Sequence, residues 1–301
     1  MPIRARHRLA AAALVAGLAT LAPPALAAPE EEAATGAARA VAGGDEPAAG
    51  AAGAEGAAAT DEGAAGAGGK NAVATARDER AGERERMVAE QIEARGVSEP
   101  ALLAALRKVP RHRFVPPERA ADAYADRAVA IGHGATISQP YVVALMTEQA
   151  RVRPGARVLE VGTGSGYQAA VLAELGAEVY TVEIVEPLAR RAEATLRATG
   201  YGDVRVRAGD GYRGWPEAAP FDAILVTAAA PRVPPPLLEQ LAEGGRLVIP
   251  VDVGDGAQEL QVHVRTPRGI EVERGIGVRF VPMTGEVHRE APAPPAQEEE
   301  P

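Results

Sequence analysis

The chain has 301 residues, no cysteine and a formal net charge of −9, which excludes a disulfide scaffold and a thiol nucleophile. The acidity belongs to the ends, with −6 on residues 28–80 and −4 on residues 285–301, so the stretch 81–284 is close to neutral at −2. A nucleic-acid surface would need a basic face, and the five scattered histidines offer no zinc-site spacing.

Residues 1–27 start with Arg4, Arg6 and Arg8, run through apolar sequence from Leu9 to about Ala22, and end in Ala25-Leu26-Ala27. That order is the pattern of a secretory signal peptide, and the apolar run is too short for a permanent membrane anchor. Residues 28–80 are rich in Ala, Gly, Glu and Pro; with so few large apolar side chains they read as a disordered linker, and 289–301 as a disordered tail. The remaining span, 81–288, is long enough for one domain with a full core. Export is therefore expected, the alternative being a cytoplasmic protein that starts at Met87.

Within the domain, Met87 to Arg95 reads as a helix stopped by Gly96, and Ser98 as the cap of a second helix over Pro100 to Lys108. Ala135-Thr136-Ile137-Ser138-Gln139-Pro140 then leads into an apolar helix beginning at Tyr141. Ser138 has two readings of equal weight on sequence alone, a helix N-cap or a hydroxyl that takes part in chemistry.

Arg157-Val-Leu-Glu-Val161 is an apolar strand that runs into Gly162, Gly164 and Gly166. Alternating glycines after a strand bring backbone against a nucleotide-like ligand. The dinucleotide fingerprint needs Gly or Ala at its sixth position, where Tyr167 stands, which argues against NAD and FAD. Thr163 removes the Gly-x-Ser-x-Gly hydrolase pattern, and no phosphate-loop motif occurs. The shorter Gly-x-Gly-x-Gly, preceded by Glu160, resembles the first motif of S-adenosylmethionine-dependent methyltransferases.

Gly176 ends a helix, and residues 177–182 form a strand that delivers Glu183 at its carboxyl end. An acid there can accept hydrogen bonds from both ribose hydroxyls of a ligand, or it can be a solvated charge. Residues 204–207 lead to Asp210, which can accept from an adenine amino group or simply belong to a Gly-Asp-Gly turn. Phe221 to Thr227 is nearly continuous in apolar residues, as a strand covered on both faces should be. The alternation predicts an α/β fold, a Rossmann-like doubly wound, mostly parallel sheet with N-terminal helices over the cofactor cleft.

Over about residues 84–287 the chain resembles the protein-L-isoaspartate O-methyltransferase family. The most specific segment is Ala135 to Tyr141, in the place where this family carries Thr-Ile-Ser-x-Pro. Val109 to Val115, Thr227 to Pro231, Gly244 to Val251 and Val278 to Met283 support it, in the family's order. The resemblance implies methyl transfer from S-adenosylmethionine to the free α-carboxylate of isoaspartyl residues in proteins and peptides. The ester then expels methanol as a succinimide re-forms, and repeated cycles restore aspartate. A carboxylate with a pKa near 4 is already ionised at neutral pH, so no base or metal is required and His133 is not needed as one. In-line positioning is worth up to about 7–11 kcal/mol.

By the same resemblance, Thr136, Ile137 and Ser138 line the junction of cofactor and substrate, and Ser138 orients the carboxylate. Gly162, Gly164 and Gly166 face the methionine moiety, Glu183 the ribose, and Asp210 with Gly211 the adenine. Thr284 lies near the substrate, and Val281 presents backbone to an extended peptide; on pattern alone Val278 to Val281 is an ordinary core strand. The expected protein is a monomer, with no nucleic-acid partner and no membrane contact after signal removal. The competing functions are methylation of a small carboxylic acid and a non-catalytic exported binding module.

Overall fold

A computed structural model describes residues 80–289. The signal peptide, all but the last residue of the linker, and the tail from 290 lie outside the described residues. The first helix, α1 (Ala81–Arg86), continues into a π-helical turn (Met87–Ile92) and a 3-10 turn (Glu93–Arg95), stopping at Gly96. It starts before Met87, where the apolar pattern places it, because its buried side chain in that part is a charged one, Arg84.

The cap of α2 (Pro100–Lys108) is Glu99, not Ser98: the Glu99 carboxylate accepts from Ala101 N, while Ser98 N–H donates to Glu148. A hairpin follows, β1 (Val129–Gly132) with β2 (Ala135–Ile137), and then α3 (Pro140–Ala150). Gln139 holds the N-cap position of α3 and no side chain caps it, so the capping reading of Ser138 is not realised. Pro140 at the first helical position removes one N–H that would otherwise lack a partner.

The main sheet is built from β3 (Arg157–Val161), β4 (Glu178–Glu183), β5 (Arg205–Ala208), β6 (Phe221–Val226), β7 (Leu241–Gly254), β8 (Ala257–Thr266) and β9 (Gly269–Val278). Their order is β5-β4-β3-β6-β7-β8-β9, parallel from β5 to β7 and antiparallel beyond. Helices α4 (Tyr167–Glu174), α5 (Glu186–Ala198) and α6 (Pro235–Glu239) connect the parallel strands. Period-two alternation distributes each strand between two cores. Val158, Ala223 and Leu225 join the core with the π-helical turn and α2 to α5, whereas Leu159, Val161, Ile224 and Val226 join the opposite core with α6. Strands buried on both faces must be apolar at nearly every position, which is why β3 and β6 read as continuous apolar runs.

Strand order reverses between β3 and β6, and ligands of doubly wound sheets bind outside the carboxyl ends at such a point. The N-terminal region reaches this crevice through the β1–β2 hairpin, whose His133 to Thr136 form one wall of the cavity there.

The antiparallel end was not anticipated as strands. Asp255 and Gly256, at φ 50° and 72°, make the tight turn between β7 and β8, an Asp-Gly signal that hairpins favour. The edge strand β9 is exposed along nearly its whole length, with Ile270, Val272 and Ile276 open to solvent among Glu271, Glu273 and Arg274. Val278 to Val281 is not a core strand. β9 ends at Val278, and the chain then bonds to Ala229 just beyond β6, with Ala229 N donating to Val281 O (2.9 Å) and Met283 N to Ala229 O (2.7 Å).

Candidate functional site

At the carboxyl ends of β3, β4 and β6 lies a cavity of about 260 Å³. Gly162, Gly164 and Gly211 form its floor with Val161 and Val182, the hairpin closes one side, and Val281 to Thr284 close the other. Gly162 sits at φ +98°, and a Cβ there would lie 2.4 Å from Thr227 Oγ1. That hydroxyl donates to Gly162 O (2.6 Å) and also reaches Val161 O (3.1 Å), so it ties the end of β6 to the start of the loop. Gly211 is needed for close approach: its Cβ would fall 2.3 Å from Val161 Cγ1. Gly166 packs the loop onto α5, beside Leu196 and Ala192.

Glu183 is 6% exposed, which removes the solvated-charge reading. Its Oε2 accepts from Gly164 N (2.8 Å) and its Oε1 from Val185 N (2.9 Å). Each oxygen keeps a second lone pair on the cavity side of a carboxylate whose orientation is fixed by backbone, an arrangement suited to two vicinal hydroxyls.

Glu160 lies in the middle of β3 with no exposure. Its Oε2 accepts from Thr181 Oγ1 (2.5 Å), which is itself 2.6 Å from Thr163 Oγ1, but Oε1 has no partner among the described residues. Burial pushes its pKa up to about 8; the Thr181 hydrogen bond opposes the shift and the Glu183 charge adds to it. A buried carboxyl oxygen without a donor costs on the order of 1–3 kcal/mol, and a cationic ligand group above the loop would satisfy it. The apolar floor, the two-point acceptor Glu183 and the unmet Glu160 oxygen together fit a nucleoside carrying a cationic amino-acid tail, as S-adenosylmethionine does.

Ser138 lines a narrower cleft with Thr136, Ile137 and Glu160, and this cleft shares Thr136, Gly162, Gly164 and Thr227 with the larger cavity. Its carbonyl accepts from Arg111 (2.6 Å). Its hydroxyl, half-buried, makes no hydrogen bond to any described residue. Thr136 is exposed and Ile137 buried, as alternation in β2 requires.

Asp210 is placed differently from the ligand-facing expectation. Its Oδ1 accepts from Tyr212 N (3.0 Å), capping a 3-10 turn (Gly211–Arg213), and its Oδ2 accepts from Glu286 N (2.8 Å). Gly211, not Asp210, forms the cavity wall. Val281 and Thr284 both reach the wall, yet the backbone beside Val281 is already engaged: Val281 O is taken by Ala229, and Phe280 N by Gln258 Oε1 (2.6 Å). Two contributors were not singled out from sequence, Thr227 and Arg111. A threonine ending a buried strand opposite a glycine turn is the signal that marks Thr227, whereas Arg111, in Val109-Pro-Arg-His-Arg-Phe-Val115, carries no comparable signal.

A family model described as protein-L-isoaspartate(D-aspartate) O-methyltransferase matches residues 82–288. Among curated relatives, a protein-L-isoaspartate O-methyltransferase of Gloeobacter violaceus is 61% identical over 204 residues, covering 68% of this chain and all of the relative. One of Opitutus terrae is 59% identical over 207 residues, covering 69% of this chain and 89% of the relative. A solved protein-L-isoaspartate O-methyltransferase aligns with a TM-score of 0.63 at 29% identity, over 68% of this chain and 67% of that one. The Plasmodium falciparum structure of that description, in complex with S-adenosyl-L-homocysteine, gives 0.60 at 26% identity, over 67% and 98%.

Proposed function

Since the chain belongs to the protein-L-isoaspartate(D-aspartate) O-methyltransferase family, and is thereby an S-adenosylmethionine-dependent protein carboxyl methyltransferase, we propose that Ser138 orients the substrate carboxylate and that the cavity beneath it holds the cofactor. The observation that carries this reading is the Ser138 hydroxyl, half-buried beside the glycine loop with no hydrogen bond to a described residue. A donor left open in a cleft is suited to a ligand acceptor.

The cofactor supplies a methyl on a sulfonium with a neutral thioether as leaving group. The chain's own residues then have only to bind, orient and exclude water. Glu183, its two oxygens fixed by Gly164 N and Val185 N, would hold the ribose hydroxyls, and the unmet Glu160 oxygen, in a cleft shared with Gly162 and Gly164, would meet the cationic end of the methionine moiety. Gly166 holds the loop against α5, and Gly211, packed on Val161 with no room for a side chain, would form the wall against the adenine. Asp210 acts on the adenine through the turn it caps and through any lone pair left free by its two backbone donors. Thr136 and Ile137 line the junction, while Val281 and Thr284 border the peptide. The reaction consumes one negative and one positive charge, so charge stabilisation contributes little beyond the ground state and alignment dominates. The reading takes the protein as a monomer, both walls of the cavity coming from one chain.

Methyl transfer from labelled S-adenosylmethionine to a synthetic isoaspartyl peptide, against its normal aspartyl twin, tests the substrate assignment. Base-labile label is expected on the isoaspartyl peptide alone. Label on a free small acid with neither peptide modified would assign the smaller substrate instead.

Export is supported by the order of basic start, apolar run and Ala25-Leu26-Ala27. Mass spectrometry of the mature protein is expected to find an N-terminus near Ala28, and a protein beginning at Met87 would place it in the cytoplasm.

A further inference from the structure

Arg111 is completely buried and is the largest fully buried side chain among the described residues. It lies outside the walls of both cavities. Its Nε donates to Ala123 O (2.7 Å), one of its Nη groups donates to Ser138 O (2.6 Å), and its guanidinium carbon stands 4.8 Å from the centre of the Tyr167 ring. The other Nη and the Tyr167 hydroxyl have no hydrogen-bond partner among the described residues. No carboxylate among them pairs with Arg111. Burial pulls its pKa down to about 10, which leaves it charged at neutral pH.

A fold that buries a cation with no carboxylate partner forgoes its hydration and recovers only part of it from carbonyls and a π face. The position of the group suggests what it does. Ser138 O belongs to the turn between β2 and α3, and Tyr167 is the first residue of α4, directly after Gly166. One rigid planar fork therefore touches both the backbone that carries the Ser138 hydroxyl and the helix that anchors the glycine loop.

We infer that Arg111 is a positioning residue that fixes Ser138 relative to the glycine loop, and so sets the distance and angle between the substrate carboxylate and the transferable methyl. It rests on the assignment of Ser138 above. Lysine cannot substitute, because an ammonium on a flexible stem does not span two carbonyls in one plane while stacking on a ring.

The test is a double-mutant cycle on the full chain with Arg111→Lys, Ser138→Ala and the pair, measuring kcat and KM for an isoaspartyl peptide and the Kd of S-adenosylmethionine. Arg111→Lys is expected to lower kcat about tenfold or more with cofactor Kd held within about twofold, since a small misplacement of reacting groups is costly. On the Ser138→Ala background it should change kcat by less than about twofold, the signature of residues that act as one unit. Equal losses on both backgrounds would reduce Arg111 to a general structural role and overturn the inference. So would a wild-type kcat for Arg111→Lys while Ser138→Ala is slow. A wild-type kcat for Ser138→Ala would instead remove the serine assignment on which this rests. If Arg111→Lys fails to fold, Arg111→Gln enters the same cycle, and failure of both to fold overturns the inference.

Discussion

Ser138→Ala is expected to lower kcat for an isoaspartyl peptide by about a hundredfold, the order of loss that misalignment of reacting groups produces, while the Kd for S-adenosylmethionine stays within about twofold. The two effects separate because the hydroxyl lines the narrow cleft and not the larger cavity beside it. The fold should be unaffected, since α3 draws no side-chain cap from Ser138 and its hydroxyl bonds nothing among the described residues. A hydrogen bond to a carboxylate is strongest while the charge is present, and the charge vanishes as the ester forms. Removing the donor therefore also raises KM for the peptide, and the loss in kcat reports orientation. Single-turnover methylation with saturating cofactor, read beside calorimetric binding of S-adenosylmethionine, checks this. Equal loss of cofactor affinity and turnover would mean that Ser138 organises the loop and does not orient substrate.

The second large effect is expected at Gly162. In Gly162→Ala the backbone must hold φ +98° with a side chain present, which costs roughly 1–2 kcal/mol in the left-handed region. The new methyl would also stand 2.4 Å from Thr227 Oγ1. To relieve the contact Thr227 must rotate, and it then loses its bonds to Gly162 O and Val161 O. The loop would move where it meets the cofactor, and affinity for S-adenosylmethionine should fall by more than about tenfold, or 1.4 kcal/mol. The midpoint of thermal unfolding without cofactor should fall by about 2–8 °C, at roughly 2–4 °C per kcal/mol in a domain of this size. Calorimetry and a thermal melt measure both. Undiminished cofactor affinity would show that the loop tolerates the displacement and that the close approach is not what glycine is there for.

Much of this was legible in the chain because the informative signals are local. A strand buried on both faces writes itself as a continuous apolar run, as in Phe221 to Val226, and the glycines after β3 mark where the backbone must turn and approach. Glu183 was legible by position, one strand after the loop. Other signals were also local but had more than one solution. Ser98 and Glu99 are both competent caps, and only the distant Glu148, which takes the Ser98 N–H, decides between them. Asp210 carries an adenine reading and a turn reading: its Oδ1 caps the turn at Tyr212, while its Oδ2 accepts from Glu286, which arrives from the far end of the domain. Arg111 could not be assigned from spacing at all. Its partners Ala123, Ser138 and Tyr167 are brought together by tertiary structure, and no period in the sequence connects them.

The edge of the sheet bears on the company this enzyme keeps. Among the described residues no strand pairs with the outer side of β9, and an open strand edge is a template for any extended chain that meets it. Proteins that have accumulated isoaspartate supply such chains in their loosened segments, so each catalytic encounter is also an opportunity for the enzyme to be recruited into an aggregate. Glu271, Glu273 and Arg274 along the edge, with the register shift opposite Glu259 to Gln261, are the features by which soluble sheets discourage strand addition. They separate mending a damaged protein from precipitating with it.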